Sequence, residues 1–510
     1  MPRVITNAVT LSRAREASLG VLPGSPVWYE LEPNNPSNFG TTTTKMTRSP
    51  ISRNRARRKG RVSDLDSGVE YEADLTLFHL RLSVEEFCFA RAVGGDVLIP
   101  TAVTNGTYTV PAVTAAQAGR LKYGVGAAKT LFYARGFDVE VNNGLKELAA
   151  VVATAATEIM ITDALAETIG ASQFVELAVA GIRGAPGDLM LGPTGILTSG
   201  VLDFTTLGWS KGQVIHLGGV DALFQFGNIT NNGFVRLRSI AAHACQLEKK
   251  DGAFIADDGT DTGWEGEAIS IDILFGQFVR NVDVGHADYV EWSTQFEIAS
   301  PNLMSGGATG YEYAIGNWPN QLTISVPLTD KATMGATYVG TNTTAPSASR
   351  ASGAANAKPG VESEAFGSSS DIARLRIQDV DEQGLTTDFK AVTITLKNNV
   401  AGEKVLAYLG PKYLNAGNLE VDIETTLLFS NPEVPAAIRG NDTQGFEIAL
   451  RNDDGGVLID LPTGTLDGGA REYPANQSVT IKTTFAAHQE QTFDFTLGVS
   501  FFPVLPDESD

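Results

Sequence analysis

DLDSGVEYEADLTLF, residues 64–78, alternates almost without a break. Leu65, Ser67, Val69, Tyr71, Ala73, Leu75 and Leu77 fall on one parity, and Asp64, Asp66, Glu70, Glu72 and Asp74 on the other, with Gly68 among them. Successive strand residues point to opposite faces, so the stretch predicts a strand with one apolar face and one face of carboxylates. Like charges at every second position repel, and an ordinary solvent-facing strand mixes signs or uses Thr and Lys. The pattern asks for a uniformly negative surface.

It returns in LEVDIETTLLF, residues 419–429, where Leu419, Val421, Ile423, Thr425 and Leu427 alternate with Glu420, Asp422, Glu424, Thr426 and Leu428. A helix candidate follows each copy, Ser83–Phe87 after the first and Ser430–Glu433 after the second. Two halves of one duplicated unit is the simplest account.

A chain of 510 residues can bury large cores and form two or more domains. Its 53 Gly and 22 Pro, with little long helical periodicity, favour a mainly β protein. Lys plus Arg total 38 against 59 Asp plus Glu, a formal charge of -21. That balance excludes wrapping nucleic acid for affinity, which needs cations on phosphates, but is compatible with letting it pass ungripped. Two cysteines make no disulfide framework, so folding in a reducing cytoplasm is expected. The first twenty residues lack the apolar core of a signal peptide, and no apolar run reaches membrane-spanning length.

Residues 1 to about 50 read as irregular, punctuated by Pro23, Pro26, Pro33 and Pro36 and by Thr41–Thr44. Arg53, Arg55, Arg57, Arg58, Lys59 and Arg61 follow, directly before the acidic strand. This basic run is either a solvated loop or a subunit contact, in which cations of one copy meet carboxylates of the next. Between 126 and 285, GFDVEVNNGLKELAA from Gly136 is echoed by FGNITNNGFVRLRSIAA from Phe226. Asn-Gly predicts tight turns between strands, and Leu145, Leu148 and Val151 align with Phe234, Leu237 and Ile240 as core positions. The region reads as an inserted small β-barrel. Residues 341–371, rich in Ser, Ala, Gly and Thr, read as a flexible loop, or as one that orders against a neighbouring subunit. From Phe389 strands resume, with a hairpin turning at Asp453–Gly456.

Chemistry is sparse. Gly208-Trp209-Ser210-Lys211-Gly212 matches the G-x-S-x-G pattern but runs into the strand-like QVIHLGG instead of a helix. Asp257, Asp258, Asp261 and Glu265 lack the spacing of a dedicated calcium loop, and the five histidines show no paired spacing. No catalytic residue, metal site or cofactor is assigned, and the chain does not read as an enzyme.

ISRNRARRKGRVSDLDSGVEYEADLTLF followed by SVEEF, the NNGL and NNGF units, YAIGNWPNQLTISVPL, and KAVTITLKNNV through GNLEVDIETTLLFSNPEV together resemble the major tail tube protein of long-tailed, siphovirus-like bacteriophages. The resemblance implies a mainly β fold: a tail-tube-type β-sandwich/barrel subunit with a flanking helix, here in two parts, 1–125 and 286–510, around the insertion 126–285. It implies hexameric rings stacked into a tube through which double-stranded DNA passes without specific binding during ejection. Asp64, Asp66, Glu70, Glu72, Asp74, Glu420, Asp422 and Glu424 would line the lumen, and the run Arg53–Arg61 would touch a neighbouring subunit. Implied partners are further copies of the chain, a tape-measure protein, and tail terminator and tip proteins, with no cofactor and no membrane. The implied location is the virion tail, assembled in the host cytoplasm. A β-rich adhesive protein stacking glycans on Trp209, Trp264 and Trp292 is the alternative, and a hydrolase built on Ser210 a weaker one.

Overall fold

The computed structural model describes residues 4–47, 51, 53, 59–124, 126, 128–161, 163–170, 173–249, 252–260, 268–358, 363–368, 370–378, 388–429 and 433–506. The first acidic stretch is the strand Arg61–Asp74, with Leu65, Val69, Tyr71 and Ala73 buried and Asp66, Glu70 and Glu72 exposed. It stops at Asp74. The Thr76 side chain then accepts a hydrogen bond from His79 N and caps the helix Leu77–Phe87, so the helix begins well before Ser83. Leu77, Leu80, Val84 and Phe87 keep helical spacing, and the parity that Leu75 and Leu77 share with the strand is coincidental.

Six strands and a helix of the first half recur in the same order in the second. The first contains β1 (Thr10–Arg15), β2 (Pro33–Met46), β3 (Arg61–Asp74), α1 (Leu77–Phe87), β4 (Thr294–Ser300), β5 (Gly310–Val326) and β6 (Thr333–Gly340). The second contains β7 (Ile372–Gln378), β8 (Phe389–Lys397), β9 (Glu420–Leu428), α2 (Glu433–Gly440), β10 (Thr443–Asn452), β11 (Gly455–Glu472) and β12 (Thr480–Ala487). In the first half the antiparallel pairs are β1·β4, β4·β5, β5·β6, β6·β3 and β3·β2. The second half repeats them as β7·β10, β10·β11, β11·β12, β12·β9 and β9·β8. Pairing of β5 with β8 joins the halves into one sheet.

In each half one long strand bends over the core. β5 and β11, of 17 and 18 residues, pair along their first part with β4 and β10 and along their second with β6 and β12. The apolar faces therefore meet as two layers. Phe296 on β4 packs on Tyr338 of β6 with centroids 4.8 Å apart, and Phe446 on β10 packs on Phe485 of β12 at 5.9 Å. Leu80, Val84 and Phe87 of α1 enter the same core.

The opening residues are not irregular, because β1, the strand Trp28–Leu31 and β2 occupy them. Among the described residues β2 has one partner, β3, and its pairing slips at Pro33 and Pro36; proline cannot donate to a ladder and is tolerated at bulges on an edge. The described part of residues 341–371 packs on the chain itself. Ala354 and Phe366 are buried, Arg350 pairs with Glu297 at 2.6 Å, and Trp28 Nε1 donates to Ser352 O at 3.1 Å. Small residues permit the approach: Gly353 has a φ of +75°, and a Cβ there would meet Pro26 O at 2.8 Å.

Between α1 and β4 lies a separate ten-stranded sheet whose core runs from Leu98 to Phe275, so residues 98–123 pack with the inserted region. Among the described residues its pairing path is open, from Met190–Leu191 to Gly144–Glu147, and does not close into a barrel. The Asn-Asn-Gly repeats are not hairpin turns. Each ends a 3-10 turn, Glu140–Asn142 or Ile229–Asn231, and the asparagines act as clamps. Asn142 exchanges two hydrogen bonds with the Leu165 backbone and Asn231 two with Ile255, while Asn143 and Asn232 do the same with Phe137 and Phe226. Leu148, Phe234 and Leu237 are buried, but Val151 is exposed because the first copy's strand ends at Glu147. The insertion seats on the second half: Val214 and Phe234 pack with Ala449, Leu458, Phe502 and Leu505, and buried Arg236 pairs with Asp460 at 2.5 Å.

Candidate functional face

Across the sheet, residues opposite one another form rows, and the rows connect the two acidic strands. One row reads Glu70, Thr337, Gln321, Lys397, Glu420; the next Glu72, Gly335, Thr323, Thr395, Asp422; the third Asp74, Thr333, Ser325, Thr393, Glu424. β3 and β9 are four strands apart, about 19 Å at ordinary strand spacing, and present their carboxylates on the same face. Between them stand Thr, Ser, Gln and Gly, with Lys397 the one charged residue of these rows. The third row continues through Thr484 to Asp467, a carboxylate on this face that sequence reading missed, although Thr463, Thr465 and Asp467 alternate with Gly464 and Leu466.

Some of these carboxylates have cations. Lys404, from the β8–β9 connection, reaches Asp64 at 2.7 Å and Asp66 at 2.6 Å, Lys331 reaches Asp74 at 2.7 Å, and Lys397 lies 3.9 Å from Asp422. The hydrogen bond from Lys404 holds the Asp64 carboxyl below the usual carboxylate range. Partial burial pushes Asp74 up, but bonds from Asn34 and Lys331 outweigh it and leave that carboxyl lowered too. Glu70, Glu72, Glu420 and Glu424 have no ion pair among the described residues, and the face is a net anion open to solvent.

Arg53, Lys59 and Arg61 are exposed at the far end of the β2–β3 hairpin, where Arg61 pairs with Met46. Arg55, Arg57 and Arg58 lie outside the described residues. Behind the face, sequence reading missed Glu86. It is fully buried on α1, where it pairs with Arg13 and accepts hydrogen bonds from Thr294 Oγ1 at 3.0 Å and Tyr338 OH at 3.1 Å. Nothing local marks it, because its partners come from β1, β4 and β6.

The other candidates do not converge. Trp209 of the G-x-S-x-G match is buried against Phe204 and Phe275, and Gln213 rather than a histidine faces Ser210, accepting from Ser210 N. Trp292 lies over Arg15 and donates to Ala90 O, and Trp264 is outside the described residues. Of the acidic knot, Asp258 caps Thr260 and Asp257 accepts from Gly259 N, while Asp261 and Glu265 are outside them. Among the described residues no cluster of His, Cys, Asp and Glu could hold a metal ion.

A family model described as phage tail tube protein matches residues 221–497, more than half of the chain and all of β4 to β12. This chain belongs to the phage tail tube protein family. It is therefore a structural component of a phage tail that assembles with itself into a tube, and its place is the virion, put together inside the host cell. Members of this family are structural proteins, not enzymes. A comparison with curated proteins gives no match. Among the described residues no helix is long and apolar enough to cross a membrane.

Proposed function

We propose that copies of this chain close into rings with six tube units around each, that the rings stack, and that the acidic face of the β2–β11 sheet lines the bore through which the genome leaves. The observation that carries this reading is the register of the two acidic strands on one polar face, with the opposite face sealed into a core. Binding to DNA rests on cations that displace counterions from phosphate, and a bore of carboxylates offers the reverse, so a duplex slides without being gripped. Glu70, Glu72, Glu420 and Glu424 supply the unpaired charge, and the Thr, Ser and Gln between them keep the wall smooth. The β2–β3 hairpin carries Arg53 and Lys59 beyond its last ladder pair, Arg61 with Met46, and there the three cations meet carboxylates of a neighbouring copy and set register. A tape-measure protein occupies the bore before DNA does, and terminator and tip proteins close its ends. Cryo-electron microscopy of tubes assembled from the purified protein tests the reading: Glu70 and Glu420 should face the bore, and tubes carrying them on the outer wall would overturn it.

A further inference from the structure

We infer that the insertion is a brace: together with residues 363–366 it grips the β10–β11 turn and fixes the angle at which the second tube unit stands to the first. This rests on the tube reading above, because that angle sets the curve of the lining sheet and so the width of the bore.

On the lining side the two halves are joined by six residue pairs, from Gln321↔Lys397 to Val326↔Val392. Such a ladder holds two strands side by side but leaves their relative rotation loose, since neighbouring strands twist by anything from about 10° to 35°. Contacts far from a hinge resist its rotation best. β10 and the first part of β11 form the rear layer of the second half, roughly 10 Å behind its lining strands at ordinary sheet spacing. Two ties from the first half end on their turn, Asp453–Asp454.

One tie runs through the insertion. Glu176, 1% exposed, accepts hydrogen bonds from Arg81 of α1 at 2.5 and 3.2 Å, and Arg135 Nε lies 2.9 Å from the same carboxylate. Arg135 Nη1 then donates to Asp454 O at 2.7 Å. Beside Arg81, Phe78 of α1 packs edge-on against Phe174 with centroids 5.3 Å apart. A buried carboxylate between two guanidinium groups makes a stiff joint, because moving any member leaves a charge without its partner away from water.

The other tie lies in the described part of residues 341–371. Phe366 is buried and anchored on the first half, its N donating to Leu75 O at 3.0 Å and its O accepting from Ala332 N at 2.8 Å. Just before it, Ser363 Oγ and Glu364 N donate to Asp454 Oδ2 at 2.9 and 2.6 Å, and Asn452 Nδ2 donates to Glu364 O at 2.9 Å. Asp454 therefore receives the two ties on different atoms, its carbonyl the insertion and its carboxylate residues 363–364. Each can be cut without the other.

Spin labels at Ser305→Cys and Ser478→Cys, on exposed turns of the first and second half, read the angle as a distance in the full-length chain before assembly; Cys88 and Cys245 are buried. Pulsed electron paramagnetic resonance should give one narrow distance for the otherwise unmodified chain. Arg135→Met, which leaves the Arg81–Glu176 pair intact, and Asp454→Ala, which leaves the backbone carbonyl for Arg135, should each broaden it, and the double variant most. In that variant the amides of the β5·β8 ladder should exchange about tenfold faster while those of β3 keep their protection. A narrow, unshifted distance in the double variant would overturn the brace, because the ladder alone would then hold the angle, and so would a broad distance in the unmodified chain. Cryo-electron microscopy reads the tube separately. Uneven bores from the double variant beside even ones from the unmodified chain support both readings, and an unchanged bore despite a broadened distance would overturn the link between angle and bore. An unmodified chain with a narrow distance that forms no tube would overturn the tube reading and leave the brace standing.

Discussion

The two halves share five strand pairings and differ in what holds their helices. α1, 11 residues long, is tied to the sheet by buried Glu86 with its bonds to Arg13, Thr294 and Tyr338. α2, of 8 residues, is held by apolar contacts of Val434, Ala437 and Ile438. Only α1 leads into a large insertion. The polar rows run across both halves, and the helices and the insertion lie on the other side of the sheet. The demand on this fold is on the polar face, and its back is free to vary.

The largest expected effect lies in that contrast. Glu86→Ala leaves the Arg13 guanidinium buried without its anion and should cost about 3–5 kcal/mol, whereas Val434→Ala, a lost pair of methyls, should cost about 2 kcal/mol. Urea unfolding of the two variants checks this, and equal costs would erase the distinction between the helices. Next come the rows. Glu70→Lys with Glu72→Lys, and Glu420→Lys with Asp422→Lys, should each leave assembly intact and slow DNA ejection at low salt, with recovery at high salt as phosphate contacts are screened. The two pairs should act about equally because they occupy the same rows; a defect from one pair alone would mean that the halves do not share the bore.

Excising residues 97–275 should give tubes of smaller outer diameter, at some loss of solubility because Ala449, Leu458, Phe502 and Leu505 lose their cover. A chain that no longer folds would show that the first half depends on its insertion. The smallest effect concerns Asp74. Its carboxyl is lowered from 3.8, so its contribution to stability is full above that value and lost as pH falls through the lower folded one. Asp74→Asn should flatten that acid limb by a few tenths of a kcal/mol, and Lys331→Ala should remove part of the same dependence; pH titration of urea unfolding reads both.

Much of the fold and of the acidic face is legible in the amino-acid order alone. The period-two pattern of Val69 to Asp74 and of Val421 to Glu424 needs only neighbouring residues, so strand, face and repeat can all be read from it. Where such reading fails, the deciding partner is distant. Pro33 and Pro36 suggest irregular chain, but β3 gives β2 a ladder that tolerates bulges. The Ser- and Ala-rich stretch suggests a loop with no core, but Trp28 and Glu297 hold it. Asn-Gly suggests hairpins, but Asn142 and Asn231 spend their side chains on Leu165 and Ile255.

By itself the sequence determined that this is a mainly β, acidic, duplicated chain with two carboxylate-faced strands, because period, charge and repetition are local properties of a string. Only the tertiary structure decided that those strands share rows on one face, that β5 of one half joins β8 of the other, and that Glu86 is the buried centre of the first half. Register across a sheet is set by hydrogen bonds between residues far apart in the chain, and a one-residue slip would send every carboxylate to the opposite face.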